Sequence, residues 1–328
     1  MSTARTADAH IPGEEIGMYD VELKGATAGI RPGRGRSGVA LGVKAGLVMA
    51  VAAGSTLAAG PAAQAKSTTP SPSDLQIVAH RGGDDWGTVN ALNTLTRALN
   101  IGADAIEFDV HFTKDHRTVV MHDDDLAITT NCSGSVADIT YDKLRKSCKL
   151  DNGGGTVPNI YEVLKMVAQE HKAAYVHVKV ADNLSEAKKV VRAINKYHLN
   201  DGHTVTTIAS STSILRQLKL AGSHRRGYVF NTPAGWDANY SVLLPFNVTV
   251  TRALVKKAQD KGRFVAGVEG HPMSLAQVPD LHLNAILANN LDRALLNLGK
   301  ALADVNDQLK NLTGAPSDNS PTTGTDGA

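Results

Sequence analysis

The sequence predicts a single-domain α/β fold, a (β/α)8 TIM barrel. Eight short runs rich in β-branched residues alternate with helix-like stretches, and this alternation is typical of a parallel sheet. Residues 66–328 also have the length of such a barrel, which is typically about 250 residues. The first three of these runs end in charged residues and histidines. Barrel enzymes keep their chemistry at the carboxyl ends of their strands. The pattern therefore predicts a site at that end.

The predicted elements follow the chain in a regular order. Strand-like runs rich in valine, isoleucine and aromatic residues occur at Gln76–His80, Ala105–Val110, Thr118–His122, Ala174–Val180, Thr204–Ile208, Gly227–Phe230, Phe264–Val268 and Ala285–Ala288. Apolar residues recur every three or four positions over the predicted helices Val89–Asn100, Tyr161–Glu170, Leu184–Tyr197, Thr212–Ala221, Thr251–Lys261, Leu275–Val278 and Asp292–Lys310. Residues 123–158 show neither a strand-like run nor helical spacing of apolar residues, so we expect an irregular segment there.

Residues 1–65 have the features of a leader. Four basic residues between positions 31 and 44 precede an apolar run over 45–59, and small residues then lead to Ala63-Gln64-Ala65. A basic region, a short apolar region and an A-x-A site are the parts of a secretory signal peptide. We therefore expect cleavage near Ala65 and a secreted, extracellular protein. A retained N-terminal anchor is the alternative.

Polar segments flank the predicted barrel domain, which covers residues 75–312. Residues 66–74 form a Ser/Thr/Pro linker, and residues 313–328 have the composition of a disordered tail. The net charge of the chain is only +2, so the sequence shows no sign of a nucleic-acid partner. We expect a monomer that binds a small molecule and contacts a membrane at most peripherally.

Cys132 and Cys148 are the two cysteines of the chain. In an exported protein an even pair usually forms a disulfide, so we predict a Cys132–Cys148 bridge across the irregular segment. Two free buried thiols are the alternative. The spacing is poor for a zinc site, because no CxxC motif is present.

Two carboxylates and two histidines lie at predicted strand ends. Glu107 and Asp109 share one face of their strand, and buried carboxylates are costly unless they are paired or bind a metal. They are candidate ligands for a hard divalent cation. His80 and His122 are candidate proton-transfer groups, because imidazole titrates near neutral pH. Hydrogen-bonded structural histidines are the alternative for each.

An ordered set of short motifs carries a family resemblance. It comprises His80-Arg81-Gly82, Asn93-Thr94, Gly102-Ala103-Asp104, Glu107-x-Asp109, Thr113-Lys114-Asp115, His122-Asp123 and Val157-Pro158-Asn159. In this order and spacing the set resembles the glycerophosphodiester phosphodiesterase family.

The resemblance implies a barrel that hydrolyses glycerophosphodiesters to glycerol 3-phosphate and an alcohol. It implies that His80 and His122 share the acid and base roles, and that Glu107 and Asp109 bind Ca²⁺ or Mg²⁺. Arg81 is expected to grip the phosphate with its planar guanidinium.

Three positions depart from the family pattern. In the strand over 174–180, His177 stands where the family usually has a third acidic metal ligand, two residues before Lys179. We expect His177 to complete the site, with Lys179 contacting phosphate. Because imidazole suits softer ions, Mn²⁺ or Zn²⁺ then become candidates beside Ca²⁺ and Mg²⁺. Leu92 replaces an acidic residue, and Glu269 ends a strand where tryptophan is usual.

Two other functions stay open at this point. A phospholipase of the sphingomyelinase D type, acting on choline phospholipids, shares Val89-Asn90-Ala91, Gly102-Ala103 and Glu107-x-Asp109. Its first histidine is usually not followed by Arg-Gly. A barrel that binds its ligand without turnover is the other alternative, because the departures at Leu92 and His177 alter the site.

Overall fold

The computed structural model describes residues 75–84, 86–181 and 183–298. Its strands are β1 Gln76–Ala79, β2 Ala105–Phe112, β3 Thr118–Val120, β4 Ala173–Val178, β5 Val205–Ala209, β6 Arg226–Phe230, β7 Val242–Pro245, β8 Phe264–Val268 and β9 Ala285–Ala288. Its helices are α1 Leu92–Asn100, α2 Tyr141–Ser147, α3 Ile160–Gln169, α4 Leu184–Lys196, α5 Thr212–Leu220, α6 Arg252–Gln259, α7 Val278–Leu281 and α8 over 291–298.

The parallel strands close into a barrel in the order β1, β2, β4, β5, β6, β7, β8 and β9, and β9 pairs back with β1. The predicted (β/α)8 fold is thereby confirmed. Closure brings the carboxyl ends of all eight strands to one mouth, where side chains from distant parts of the chain meet.

The predicted set of barrel strands was wrong at two places. The run predicted at Thr118–His122 is β3, which pairs antiparallel with β2 and lies outside the barrel. Only residues 113–117 separate β2 from β3, and so short a connection allows a hairpin but not a parallel crossover.

One barrel strand, β7, was not predicted from the sequence. β7 pairs in parallel with β6 and with β8. A 3-10 turn over Pro233–Asp237 stands in place of a helix between β6 and β7, so the strand–helix rhythm is interrupted there. The count of eight was right only because one error offset the other.

Apolar side chains fill the inside of the barrel and the layer between its strands and the surrounding helices. Within the barrel, Val78, Tyr175, Ile208, Leu244 and Leu287 belong to one buried cluster. A larger cluster packs the outer faces of the strands against the helices. Because the strands are apolar on both faces, the buried charges of β2 stand out as the exception.

A third apolar cluster lies under the segment that joins β3 to α3. Met121, Leu126 and Leu144 are buried in it, together with Cys148. The predicted disulfide joins Cys132 to Cys148 and closes this segment, which also contains the unpredicted helix α2. The segment is therefore packed and cross-linked beside the mouth of the barrel.

Local hydrogen bonds set the start of α3 after the Val157-Pro158-Asn159 motif. The Asn159 side chain accepts hydrogen bonds from the backbone N–H groups of Tyr161 and Glu162, and Glu162 accepts one from the Asn159 backbone. This reciprocal pair is a capping box. Arg145 on α2 also donates to Glu162, which ties the irregular segment to α3.

The predicted leader, linker and tail lie outside the described residues, as does the last part of the helix predicted over Asp292–Lys310. Its first part is confirmed by α8. Among the described residues, no helix combines the length and apolarity needed to cross a membrane.

Candidate active site

A tight turn over His80–Gly82 ends β1 and opens the mouth of the barrel. Arg81 has a φ of 55°, and its backbone N–H donates to Glu107 Oε2 at 3.1 Å. Gly82 has a φ of +90°, and a Cβ there would lie 3.0 Å from Thr94 Cγ2 and 3.1 Å from Leu95 N. Only glycine fits this approach to α1 without strain. The His-Arg-Gly motif is thus the turn that presents His80 and Arg81.

Glu107 and Asp109 are fully buried on the inner face of β2. The register of β2 and β4 sets Asp109 directly beside His177. His177 Nδ1 lies 3.5 Å from Glu107 Oε1 and 3.3 Å from Asp109 Oδ1. One potential ligand atom from each of the three residues lies within 4.8 Å of the others.

The same two carboxylate oxygens show whether this set of residues fits a cation. Glu107 Oε1 and Asp109 Oδ1 are buried, and neither has a hydrogen bond of normal geometry. Buried carboxylates without such partners are costly, and a divalent ion would remove that cost. Two carboxylates and one imidazole are also an ordinary ligand set for divalent metals. The residues predicted as metal ligands therefore fit a metal ion.

Cationic side chains surround Asp109. Arg81 Nε lies 3.5 Å from Asp109 Oδ2, and Lys179 Nζ lies 3.2 Å from Asp109 Oδ1. Burial raises the pKa of Asp109, but the contact with His177 and the charges of Lys179 and Arg81 hold that pKa well below its ordinary value. Burial lowers the pKa of His177, yet its contacts with Asp109 and Glu107 prevail and raise it.

Asn90 supports Asp109, a role that was not predicted from the sequence. The Asn90 amide donates to Asp109 Oδ2 at 2.8 Å, and its oxygen accepts from the Asp109 backbone N–H at 3.0 Å. Asn90 is buried with a φ of 64°, a conformation that asparagine tolerates better than most residues. The available sequence signal was the Val89-Asn90-Ala91 motif; Asn90 was expected inside the helix predicted over Val89–Asn100, whereas α1 begins at Leu92. Asn93, from the quoted motif, is exposed instead.

The two predicted catalytic histidines have different partners. His80 Nδ1 lies 2.5 Å from Asn289 Oδ1, and His80 Nε2 lies 3.8 Å from Glu107 Oε2. His122 Nδ1 lies 2.9 Å from Asp123 Oδ1. In each case the contact at Nδ1 makes Nε2 the nitrogen that remains for proton transfer.

The surroundings of His122 favour its neutral form. Burial lowers its pKa, and the charges of Lys179 and Arg81 lower it further, against the effects of Asp109 and Asp123. The His122 carbonyl also lies 2.9 Å from Nε2 of His111, a buried residue of β2. His111 was not among the predicted site residues, although it shares a strand face with Asp109.

All seven predicted site residues meet around one cavity of about 430 Å³. His80, Arg81, Glu107, His122, His177 and Lys179 line it, and Asp109 contacts three of them. The opposite wall comes from β5 to β9 and is mainly apolar, with Ile208, Tyr228, Phe230, Leu244, Phe246, Val268 and Leu287. The cavity is therefore charged on one side and apolar on the other.

The sequence profile of the Glycerophosphoryl diester phosphodiesterase family matches residues 80–266, which include all seven predicted site residues. The chain belongs to this family. A glycerophosphodiester phosphodiesterase of Caldanaerobacter subterraneus is 30% identical over 158 residues, which are 45% of this chain and 63% of the relative.

Two further proteins are similar to this chain. A lysophospholipase D of Homo sapiens is 27% identical over 135 residues, covering 37% of this chain and 42% of the relative. Both curated relatives are thus matched over less than two thirds of their length. A phosphodiesterase of Oleispira antarctica, solved with the product sn-glycerol-3-phosphate, superposes with a TM-score of 0.61 at 18% identity. That match covers 70% of this chain and 96% of the other, and it supports the fold.

Proposed function

We propose that the protein hydrolyses glycerophosphodiesters to glycerol 3-phosphate and an alcohol. The observation that carries the proposal is that two histidines, two cationic side chains and a candidate metal-binding cluster meet at one cavity. Cleavage of a phosphodiester requires neutralisation of its charge, a base for the attacking hydroxyl and an acid for the leaving oxygen. Each requirement has a candidate residue at the mouth of this barrel.

Glu107, Asp109 and His177 would hold one divalent cation. When bound, the ion would supply positive charge that offsets the charge of the phosphate. The buried oxygens of Glu107 and Asp109 that have no hydrogen bond of normal geometry support this assignment, as does the low pKa of Asp109, which keeps that carboxylate ionised. Ca²⁺ and Mg²⁺ follow from the family resemblance, whereas the imidazole of His177 favours Mn²⁺ or Zn²⁺.

Arg81 and Lys179 would bind the phosphate. Both line the cavity and both already contact Asp109, so their charged groups are held near the candidate metal site. The guanidinium of Arg81 suits two phosphate oxygens at once, and the ammonium of Lys179 acts as a single charge.

His80 and His122 would transfer the protons. Each has its Nδ1 in contact with a side-chain oxygen, which leaves Nε2 to take a proton from the attacking hydroxyl or to give one to the leaving alcohol. The lowered pKa of His122 supports a neutral ring near neutral pH.

The apolar wall of the cavity favours a second candidate substrate class, the lysophospholipids. Tyr228 and Phe246 line this wall together with buried aliphatic residues of β7, β8 and β9. Burial of an alkyl chain contributes roughly 0.8 kcal/mol per methylene, so such a wall would favour an amphipathic diester. The similarity to a lysophospholipase D agrees with this candidate.

The test compares three substrates after removal of metal by a chelator. Release of choline from glycerophosphocholine, lysophosphatidylcholine and sphingomyelin would be measured with Ca²⁺, Mg²⁺, Mn²⁺ or Zn²⁺ added back. We expect metal-dependent turnover of glycerophosphocholine. Turnover of lysophosphatidylcholine in addition would support the second candidate. Turnover of sphingomyelin alone would favour a sphingomyelinase D-type enzyme.

No turnover of any of these substrates with any of the four ions would contradict the proposal. If glycerophosphocholine then still bound, calorimetry would identify a binding protein that does not turn its ligand over. The matched control is His224→Ala, because His224 is an exposed histidine at the opposite, amino-terminal side of β6.

A further inference from the structure

A network of three side chains connects the end of β8 to the first histidine. Glu269 Oε2 accepts hydrogen bonds from the backbone N–H groups of Asn289 at 2.8 Å and Asn290 at 3.1 Å. The Asn289 amide nitrogen donates to the Glu269 carbonyl at 3.2 Å. The Asn289 amide oxygen lies 2.5 Å from His80 Nδ1. Glu269 thus holds Asn289 at both its backbone and its side chain.

These contacts define the orientation of the Asn289 amide. Its nitrogen is used toward the Glu269 carbonyl, so its oxygen faces His80 and can only accept. His80 Nδ1 must then carry the proton, and Nε2 must be the nitrogen that faces the cavity. The hydrogen bond at one ring nitrogen selects the tautomer of a histidine in this way.

The ring orientation of His80 also depends on this network. His80 Nε2 lies 3.8 Å from Glu107 Oε2, so the ring spans the distance between Asn289 and the carboxylate pair. His80 belongs to the turn that follows β1. Asn289 is contributed by the loop after β9, next to β1 in the closed barrel.

We propose that Asn289 and Glu269 are positioning residues for His80. Asn289 sets the ring orientation and the Nδ1–H tautomer, and Glu269 holds Asn289 in place. The inference rests on the proposed function for its kinetic consequence, but the tautomer is a property of the resting protein. It also gives Glu269, an unusual residue at the end of its strand, a defined role.

The kinetic test uses Asn289→Ala and Glu269→Ala, with turnover of glycerophosphocholine as the readout. We expect kcat to fall by about 10- to 100-fold in each variant with KM little changed, the range seen when partners of functional histidines are removed. Asn289→Asp and Glu269→Gln retain an acceptor oxygen and should recover most of this loss. Asn289→Ala made in a His80→Ala background should lower kcat no further.

The matched control is Asn290→Ala. Asn290 is the neighbouring asparagine, and its side chain caps α8 by accepting from the Arg293 backbone N–H at 2.9 Å. It still donates its own backbone N–H to Glu269 after the change. We expect Asn290→Ala to lower the midpoint of thermal unfolding, because a helix cap is lost, with kcat unchanged.

A readout that needs no activity separates this inference from the proposed function. Nitrogen-15 spectra of histidine-labelled protein, with His80 assigned from a His80→Ala sample, report which ring nitrogen carries the proton. We expect the Nδ1–H form in the wild type and a mixture or the Nε2–H form in Asn289→Ala. A wild-type His80 in the Nε2–H form would overturn the inference. An unchanged kcat in Asn289→Ala, from an active wild type, would also overturn it.

If no diester is turned over, the proposed function fails, and the spectra alone then decide the positioning role. Thermal unfolding of each variant identifies any that do not fold, and the aspartate variant at 289 keeps the shape of the side chain. If Asn289→Ala lowers kcat by the same factor in the His80→Ala background as in the wild type, Asn289 does not act through His80.

Discussion

Metal affinity at the candidate site should depend on pH through His177. Its Nδ1 lies 3.5 Å and 3.3 Å from one oxygen each of Glu107 and Asp109, so in the metal-free protein a protonated ring would pair with both carboxylates. Those contacts raise the pKa of His177 above its ordinary value of 6.5. A metal ion must displace that proton before His177 can act as a ligand.

The size of the effect follows from one displaced proton. Below the pKa of His177, each unit of pH lowered should weaken metal binding about tenfold, or about 1.4 kcal/mol. Above that pKa the affinity should level off. The pH range over which metal affinity changes should extend above 6.5, because the pKa of His177 is raised. Asp109 does not add to the pH dependence of metal affinity in this range, since its pKa lies well below the ordinary value.

The assay is isothermal titration calorimetry of chelator-treated protein with Ca²⁺, Mg²⁺, Mn²⁺ and Zn²⁺ between about pH 6 and 8, where histidine titrates. His177→Ala should lose at least about 10- to 100-fold in affinity at the upper pH, since the loss of even an indirect partner costs that much. His177→Glu should shift preference toward Ca²⁺ and Mg²⁺, which favour oxygen ligands. His224→Ala should bind as the wild type does.

If wild type and His177→Ala bind each of the four ions with the same affinity, this reasoning is refuted. The site would then be a two-carboxylate one, completed by water or by substrate. An affinity that rises as the pH falls would refute the displaced-proton argument even if His177 proved to be a ligand.

The metal-free protein should show the opposite pH dependence. Because the pKa of His177 is raised in the folded state, its protonation adds stability that is fully present below the unfolded-state value near 6.5. That stability is lost as the pH rises through the folded-state pKa. Chemical unfolding in chelator should therefore show the wild type losing stability relative to His177→Ala over this range. A constant difference between the two proteins would count against the ion pairs.

Three further predictions concern other parts of the chain. His80→Ala and His122→Ala should each lower kcat by at least about 100-fold with unfolding midpoints preserved, and near-wild-type turnover in either would remove that residue from the mechanism. Replacement of Cys132 and Cys148 by serine should lower the free energy of unfolding by about 3 kcal/mol, measured with urea, whereas equal stability of oxidised and reduced protein would contradict a stabilising bridge. Intact-mass measurement of exported protein should give a chain beginning near Lys66; a mass that includes residues 31–65 would exclude that cleavage.

The candidate site residues on β2 and β4 were accessible from sequence because they follow simple local rules, whereas His122 follows the antiparallel strand β3. Alternation along a strand sets Glu107 and Asp109 on one face, and the same rule sets His177 inward on β4. The carboxyl ends of parallel strands meet at one mouth, so residues there are brought together whatever the details of packing. The register of β2 and β4 then makes Asp109 and His177 direct neighbours.

Strand membership of the barrel was harder to predict. β3 and β7 are both short apolar runs, and neither composition nor period separates a hairpin partner from a barrel strand. The length of the connection decided the first case, since residues 113–117 cannot form a crossover. In the second case a 3-10 turn replaced the expected helix, and only pairing with both neighbours identifies the strand.

The sequence by itself determined the fold class, the order of most elements and the chemistry available at the mouth, because periodicity and motif spacing are local properties. Only the tertiary structure decided that Asn90 holds Asp109 and that Asn289 holds His80. Asn289 and His80 are 209 positions apart in the chain, and their contact exists because β9 pairs with β1 when the barrel closes. Contacts of this kind depend on strand order and register, which no local pattern encodes.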